Sequence, residues 1–262
     1  MAYFERVRSC ASVLGWAFLL ASATLGAQNP SPSQSLPTAQ QVMDRFVAAQ
    51  GGHEAIFRHR SMTVHAKLVL QPQNLSFDQV SYFKDGRVLQ ETTYADGSVD
   101  RSGFDGAVAW DIDPKNGPAV AKDNVIESIR RDADMHYFGH VLDYFKSMDV
   151  VGITEFAGHT CYHLKGVNKW GIENEHFYDT TTGLLVGYRF DSSWRGGPGE
   201  EHEVFSDYRN FDGWLMPTSD AQSDAKGSAA TTTLSVTFDE IPDSKFALPD
   251  PIKVLAAKNG RK

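Results

Sequence analysis

The feature that most constrains the fold is an alternation of apolar and polar residues that starts at Ser61 and recurs along the chain. In the stretch 61–70, SMTVHAKLVL, every even-numbered residue is apolar. Strand side chains point alternately to the two faces of a sheet, so this period of two is typical of a half-buried strand. The following stretches are separated by KDG, ADG and FDG, whose glycines accept the positive φ of a tight turn. The pattern predicts an antiparallel meander.

The same criteria extend the sheet along the rest of the chain. Beyond 61–70, strands are predicted at 75–83, 87–94, 99–104, 107–112, 149–156, 160–167, 173–179, 184–192, 200–210, 214–223 and 229–238. A helix is predicted at 38–50, where Thr38 and Gln41 form a capping box and two glycines follow. Two more short helices are expected between residues 122 and 146. The fold class is therefore mainly β (α+β), a curled antiparallel half-barrel of about 11–12 strands with an N-terminal helix and two short helices on its concave side.

The ends of the chain differ in character from its middle. In residues 1–27 two arginines precede the apolar run 11–21, and small residues follow, which predicts a signal peptide. The run is shorter than the roughly 20 apolar residues that a membrane-spanning helix needs, so we expect cleavage and a periplasmic or secreted protein. Residues 28–37, QNPSPSQSLP, predict a disordered tether. We expect one domain at 38–250 and a C-terminal tail at 251–262.

Charge and cysteine content exclude some classes of partner and bond. The chain has a formal net charge of −8, and removal of the leader, with two arginines and one glutamate, changes it to −9. Nucleic-acid binding needs a basic face, so we expect no such partner. Cys161 is then the one remaining cysteine, so no intramolecular disulfide is expected and stability depends on the core. We expect a monomer.

Two histidine clusters have the spacing of metal ligands. HTCYH places His159, Cys161 and His163 on one strand face, but a zinc site would need a fourth ligand from elsewhere. His136 and His140 are four residues apart, but Gly139 interrupts the helix between them. We expect a solvent-facing strand and a helix end, with no metal and no cofactor.

Acidic residues offer a second, catalytic interpretation. Glu173, Glu175, Glu200, Glu201 and Glu203 could supply the carboxylate pair of a hydrolase. Their alternation along two strands favours instead the solvent-facing side of a hairpin.

The segment 205–219, FSDYRNFDGWLMPTS, has the same two interpretations. Asp207, Arg209 and Asp212 could form a catalytic cluster, or they could be the polar residues of a hairpin. Asp212-Gly213 is a strong signal for a tight turn, which favours the hairpin.

The order of these motifs resembles the LolA/LolB-like superfamily of outer-membrane lipoprotein-sorting proteins. The resemblance rests on VMDRFVAAQGGHEAI followed by SMTVHAKLVL, then FDGAVAWDIDP, GHTCYHLKG, EHFYDTTTGLLVGY and FSDYRNFDGWLMPTS, and it covers roughly 38–248. It implies a carrier that holds lipid or lipoprotein acyl chains in an apolar cavity without catalysis and exchanges them with donor and acceptor proteins of the envelope. A secreted hydrolase using carboxylate and histidine side chains, or an envelope-stress lipid sensor, are the alternatives.

Aromatic and aliphatic residues at apolar strand positions are the candidate lining of such a cavity. A curled sheet closed by three short helices leaves part of its concave face without a protein partner. The predicted ligand-binding residues are Phe83, Trp110, Tyr162, Leu164, Phe177, Tyr188 and Phe190.

The predicted leader can be tested on the exported protein. We expect its intact mass to correspond to a chain that begins near residue 27 or 28, because cleavage removes the apolar run. A mass that retains residues 1–20 would contradict the prediction.

Overall fold

A computed structural model describes residues 35–195, 197, 199–224 and 227–258 of the chain. The predicted leader and residues 28–34 of the predicted tether lie outside the described residues. Most of the described strands form one large antiparallel sheet of 13 strands that is not closed into a barrel. The prediction of a mainly β fold with a few helices is confirmed.

The helices and strands have the following bounds. The α-helices are α1 Ala39–Ala49, α2 Gly52–Phe57, α3 Ile126–Asp132 and α4 Asp250–Lys258, and short 3₁₀ helices span Asp123–Val125, Tyr137–Gly139, Val141–Tyr144, Ser193–Arg195 and Asp243–Phe246. The strands are β1 Ser61–Gln71, β2 Leu75–Lys84, β3 Arg87–Thr93, β4 Val99–Phe104, β5 Ala109–Asp113, β6 Gly117–Val120, β7 Phe145–Phe156, β8 His159–Asn168, β9 Glu173–Asp179, β10 Leu185–Asp191, β11 Glu200–Ser206, β12 Arg209–Phe211, β13 Trp214–Met216, β14 Ser219–Ser223 and β15 Ser228–Thr237.

The strand order shows two meanders joined in the middle of the sheet. It runs β6-β5-β4-β3-β2-β1-β15-β14-β11-β10-β9-β8-β7, so the first strand of the chain pairs with the last. The edge strands β6 and β7 are consecutive in sequence yet lie at opposite ends of the sheet. The segment between them, 121–144, contains α3 and three of the 3₁₀ helices and must therefore pass from one edge to the other across one face.

The observed strands differ from the predicted ones at three places, one of which is the predicted strand 214–223, divided into β13 Trp214–Met216 and β14 Ser219–Ser223. The short edge strand β6 was not predicted, because GPAV has no alternation and contains a proline. The predicted strand 200–210 ends at Ser206, since Asp207 has a φ of 54° and turns the chain. Residues 209–216 then form the separate hairpin β12–β13.

Part of the segment 205–219 forms the β12–β13 hairpin, in agreement with the hairpin interpretation of its sequence. Asp212 and Gly213 have φ values of 51° and 93°, as a two-residue type I′ turn requires. The hairpin is anchored to the end of α1, where the Leu215 amide donates to the Gln50 carbonyl at 2.9 Å. Gly51 is needed there, because a Cβ on it would lie 2.1 Å from the carbonyl oxygen of Gly213. The Asp212 carboxylate binds His59 at 2.9 Å, so it holds the hairpin in place.

Directly paired residues of neighbouring antiparallel strands point to the same face of a sheet, which allows each face to be followed from strand to strand. We define the helix face as the side of the sheet that carries one particular row of directly paired residues. In order across the sheet, these are Leu164, His176, Tyr188, Glu203, Gln222, Ala229, Leu70 and Leu75. The other side is the outer face. Along β1, Leu68 and Met62 share the helix face with Leu70, because all three have the same parity.

Three helices cover part of the helix face. α1 packs Val42, Met43 and Phe46 into a cluster with Leu164 and Tyr178. α2 packs Ala55 and Ile56 into a second cluster, which also contains Met62 and Trp214. α3 contributes Ile129, partly buried, to a third cluster built on Phe104 and Ala109.

The outer face of the N-terminal meander is covered by the end of the chain. Residues 251–258 belong to the predicted tail, but with Asp250 they form α4, whose Ile252 and Ala256 are buried with Trp110 and Leu89. The sequence DPIKVLAAK is only nine residues long, which is why its helical period was missed. The N-terminal meander therefore has a buried apolar cluster on each side.

The role of α4 can be tested by two substitutions on one helix. Ile252 is 0% exposed and Val254 is 55% exposed. Ile252→Ala should lower the free energy of unfolding by about 2–5 kcal/mol, because it leaves a cavity against the sheet. Val254→Ala should change it by less than about 0.5 kcal/mol. Urea denaturation measures both, and equal small effects would show that α4 is not part of the core.

Candidate functional site

The seven predicted cavity residues do not share one face. The structure places Phe83, Tyr162, Leu164, Tyr188 and Phe190 on the helix face. Trp110 and Phe177 lie on the outer face. Their assignment to the same face as the other five was wrong.

The physical reason is that both misplaced residues belong to apolar clusters of the outer face. Trp110 packs under α4, and a Cβ on Gly103 would lie 2.7 Å from its ring. Phe177 stacks on Phe156 with ring centroids 3.9 Å apart. In strands with apolar residues on both sides, alternation does not show which side receives the helices.

One end of the helix face is filled by protein side chains. Phe46 of α1 contacts Tyr178 and Phe138 edge to face, with centroid distances of 5.1 and 5.9 Å. Leu164 is 0% exposed beneath them. This end is therefore an ordinary core, in which Leu164 has no surface to offer a ligand.

The β1–β2 end of the helix face is different. Leu70 and Leu75 are directly paired, and Leu68 lies one pair further along β1. Within the described part of the chain, the clusters that join helices to the sheet include none of these three leucines. Leu75 is 42% exposed. An apolar strip thus lies on the same face as the helices but beyond their contacts.

Two carboxyl groups lie between this strip and the α1 core. Glu203 is on β11, directly opposite Tyr188, and Asp220 is on the neighbouring strand β14. Burial raises the pKa of Glu203 well above its usual range, and the Asp220 carboxyl that is hydrogen-bonded to it raises it further. Burial likewise raises the pKa of Asp220. The pair therefore retains a proton more readily than two solvated carboxyls do.

The sequence interpretation of Glu201 and Glu203 as residues of a solvent-facing hairpin was wrong. Both lie on the helix face, and Glu201 is only 8% exposed. β11 has an apolar residue on each side, Val204 on the outer face and Phe205 on the helix face, so alternation alone could not assign the faces. Asp220 was missed because the polar stretch around it has no apolar period.

A second carboxyl pair lies on the same face in the N-terminal meander. Burial raises the pKa of Asp111 to about 6, and the nearby Asp100 carboxyl contributes to the rise. The pKa of Asp100 is also raised, mainly by burial. The helix face thus holds acidic groups at two places.

The predicted ligand-type histidines are engaged with protein partners. His159 binds Asp179 at 2.9 Å and His163 binds Glu175 at 2.8 Å, while the Cys161 thiol between them is buried. Glu175 also pairs with Lys165 at 2.8 Å, and these ion pairs lower its pKa against the effect of burial. Among the residues that the structure describes, no group of three or more His, Cys, Asp or Glu is arranged to hold a metal ion.

His136 and His140 flank the 3₁₀ helix 137–139 and pack on Phe57. Their ring centroids lie 4.8 and 5.7 Å from that of Phe57. A Cβ on Gly139 would lie 2.4 Å from the Phe57 ring, so the glycine is needed for this close approach. His140 binds Asp134 at 2.8 Å, which raises the pKa of the imidazole.

A surface groove of about 520 Å³ lies between α1 and residues 138–143. Its apolar lining includes Met43, Val47 and Leu142, and its polar lining includes Asp44 and His53. None of the seven predicted cavity residues lines it. The groove is therefore distinct from the apolar strip on β1 and β2.

Comparison with known proteins gives matches at the level of structure. No family model matches the sequence, and no curated protein matches it. A LolA superfamily protein from Nitrosomonas europaea is 13% identical and superposes with a TM-score of 0.57 over 81% of this chain and 99% of that one.

Two further structures give similar values. A putative outer membrane lipoprotein-sorting protein domain from Vibrio parahaemolyticus is 12% identical, with a TM-score of 0.52 over 79% of this chain and 94% of the domain. A DUF1329 family protein from Desulfovibrio piger is 13% identical, with a TM-score of 0.55 over 79% and 96%. The resemblance inferred from the motifs is confirmed at the level of the fold, which is LolA-like. No helix within the described ranges is long and apolar enough to cross a membrane.

The raised pKa of Asp111 makes stability depend on pH. A carboxyl whose pKa is higher in the folded state contributes stability below its unfolded pKa, and this is lost as pH rises through the folded pKa. The window here runs from the ordinary value of 3.8 to about 6. Asp111→Asn should leave the free energy of unfolding unchanged at low pH and raise it by about 1 kcal/mol above this window, allowing for partial exposure.

Urea denaturation below and above the window tests this prediction. Asp78→Asn is the matched control, because Asp78 is exposed on the outer face of β2. An increase in the free energy of unfolding that is the same at both pH values, or that also occurs in the control, would contradict the prediction.

Proposed function

We propose that this protein is an exported, non-catalytic protein that binds the acyl chain of a lipid or lipoprotein on its helix face. The observation that carries the proposal is the strip formed by Leu68, Leu70 and Leu75. It lies on the face that the helices partly cover, but it is outside their clusters. Support also comes from the LolA-like fold and from the sorting role named for the Vibrio structure.

An apolar strip is sufficient for affinity toward an acyl chain. Each buried methylene contributes about 0.8 kcal/mol, so a chain of several methylenes is held without any polar contact. Leu75 is exposed, and Leu68 and Leu70 beside it are only partly buried, which also favours an apolar ligand because contiguous apolar surface in water is costly. Phe190, Phe83 and Tyr162 are the predicted residues that remain candidates for further contacts on this face.

Export agrees with such a role. The predicted leader would deliver the protein to the periplasm or the medium, where lipids and lipoproteins of the envelope are the available acyl ligands. Donor and acceptor proteins of the envelope are the expected partners, as the resemblance implies.

A hydrolase is the second candidate, and Glu203 with Asp220 is the observation that favours it. Two carboxyls that share one proton can activate water, as in aspartic proteases. Loss of a measured hydrolytic activity in Glu203→Gln, with acyl-chain binding retained, would favour this alternative.

The binding proposal is tested by one substitution on the strip. Leu75→Asp places a charge on exposed apolar surface without removing core packing, so it should weaken binding of a fluorescent fatty-acid analogue by about tenfold or more while the protein stays folded. Fluorescence titration measures the dissociation constant, and thermal unfolding measures folding.

Val254→Asp is the matched control. Val254 is 55% exposed, on α4 at the outer face, and its substitution should leave binding unchanged. Binding that is unaffected by Leu75→Asp, or equally weakened by both substitutions, would contradict a ligand site on the helix face.

A further inference from the structure

The basic side chains of the sheet lie on one face, whereas carboxyl groups lie on both. Leaving aside the edge strand β7, the described strands of the 13-stranded sheet contain six Lys and Arg residues, and the pairing register puts all of them on the outer face. They are Lys67, Lys84, Arg87, Arg101, Lys165 and Arg189. The helix face of the same strands carries six carboxyl groups: Asp100, Asp111, Asp113, Glu201, Glu203 and Asp220.

The arginines of the helical layer are bound mainly to groups other than Glu203 and Asp220. Arg45 donates to the Thr180 carbonyl at 2.9 Å, and Arg130 lies over the ring of Phe104. Arg131, whose charge acts on Glu203, is hydrogen-bonded to its neighbour Asp132.

The surroundings of Glu203 therefore have more negative than positive groups. Arg131 acts there on Asp132 and Glu203, and the carboxyl of Asp220 lies against Glu203. His176 on β9 adds no positive charge, because burial lowers its pKa to about 3. A cationic group brought to this place would meet carboxyls that no basic side chain of the sheet neutralises.

Two polar atoms at this place are buried without a hydrogen-bond partner. One is Oδ1 of Asp220. The other is the hydroxyl of Tyr188, which stands opposite Glu203 on the neighbouring strand. Buried polar atoms of folded proteins are nearly always paired, so these two acceptors point to a missing donor.

The acidic place adjoins the apolar strip. Asp220 pairs directly with Thr231, and Thr231 pairs with Leu68. Asp220 and Leu68 are therefore separated by two strand spacings of about 4.8 Å, which puts them roughly 10 Å apart on the same face. An amphiphile can therefore reach both, with its chain along the leucines and its head at the carboxyls.

We infer that the ligand of the helix face is a cationic amphiphile, whose protonated amine binds between Glu203, Asp220 and Tyr188 while its apolar chain lies along Leu68, Leu70 and Leu75. This inference rests on the proposed function and adds the charge of the headgroup. An ammonium group supplies the missing donors and neutralises the carboxyls, whereas a carboxylate or phosphate headgroup would be repelled by them. The site selects by headgroup charge as well as by chain.

Three ligands of equal chain length test the inference. Dodecylamine, 1-dodecanol and dodecanoate are titrated at pH 7, below their micellar concentrations, against full-length mature protein holding the neutral fluorescent probe N-phenyl-1-naphthylamine. We expect dodecylamine to displace the probe at concentrations about tenfold lower than dodecanol, and dodecanoate to be the weakest. About tenfold is the size of effect that one partly buried ion pair supplies.

Substitutions locate the preference. The ratio to compare is that of the dodecanol concentration to the dodecylamine concentration that displaces half of the probe. Glu203→Gln and Asp220→Asn should each reduce this ratio severalfold while leaving dodecanol affinity nearly unchanged. Asp78→Asn, on the outer face, should leave the ratio as it is. A ratio is insensitive to partial unfolding, because unfolded protein binds none of the three.

The outcomes separate the two proposals. Displacement by dodecanol and dodecanoate that equals or exceeds displacement by dodecylamine would overturn the cationic preference and leave acyl-chain binding intact. Failure of all three to displace the probe would overturn both. An amine preference that persists in both carboxyl variants would overturn the assignment to Glu203 and Asp220.

Discussion

The pairing of the first strand with the last is the interaction on which the rest of the structure depends. β1 and β15 are paired over most of their length and join two meanders into one sheet. This leaves β6 and β7 at opposite edges, although they are consecutive in the chain. The connection between them has to cross the sheet, so one face acquires α3 and the three 3₁₀ helices of this connection. Helices α1 and α2 pack on the same face. The other face is left for the C-terminal helix α4.

The two faces consequently have different chemistry. The outer face carries the basic side chains of the sheet, paired with carboxylates such as Glu175 and Glu91. The helix face carries an apolar core at the α1 end, an apolar strip at Leu68, Leu70 and Leu75, and carboxyls between them. A chain that only needed a stable core would gain nothing from two carboxyls buried side by side, since burial of polar and charged groups is costly. Their position beside the strip is the reason for treating this face as a binding surface.

Much of the fold follows from the residues, because strands and turns have local signals. The alternation in 61–70 and the Asp212-Gly213 turn predicted their elements, and the order of such motifs identified the fold. The faces were harder to predict. Trp110 and Phe177 lie in strands that are apolar on both sides, and only the long-range placement of α4 and of Phe156 decides which side each occupies. Glu203 and Asp220 come together through the β11–β14 pairing, which skips the β12–β13 hairpin, so no spacing in the sequence indicates it.

The central claim is that the helix face holds an acyl chain, and native mass spectrometry of gently purified protein tests it most directly. The account predicts a mass above that of the mature chain by one lipid, which organic extraction removes and which lipid analysis shows to contain an acyl chain. A protein with the mass of the bare chain, which also takes up no lipid from vesicles, would contradict it.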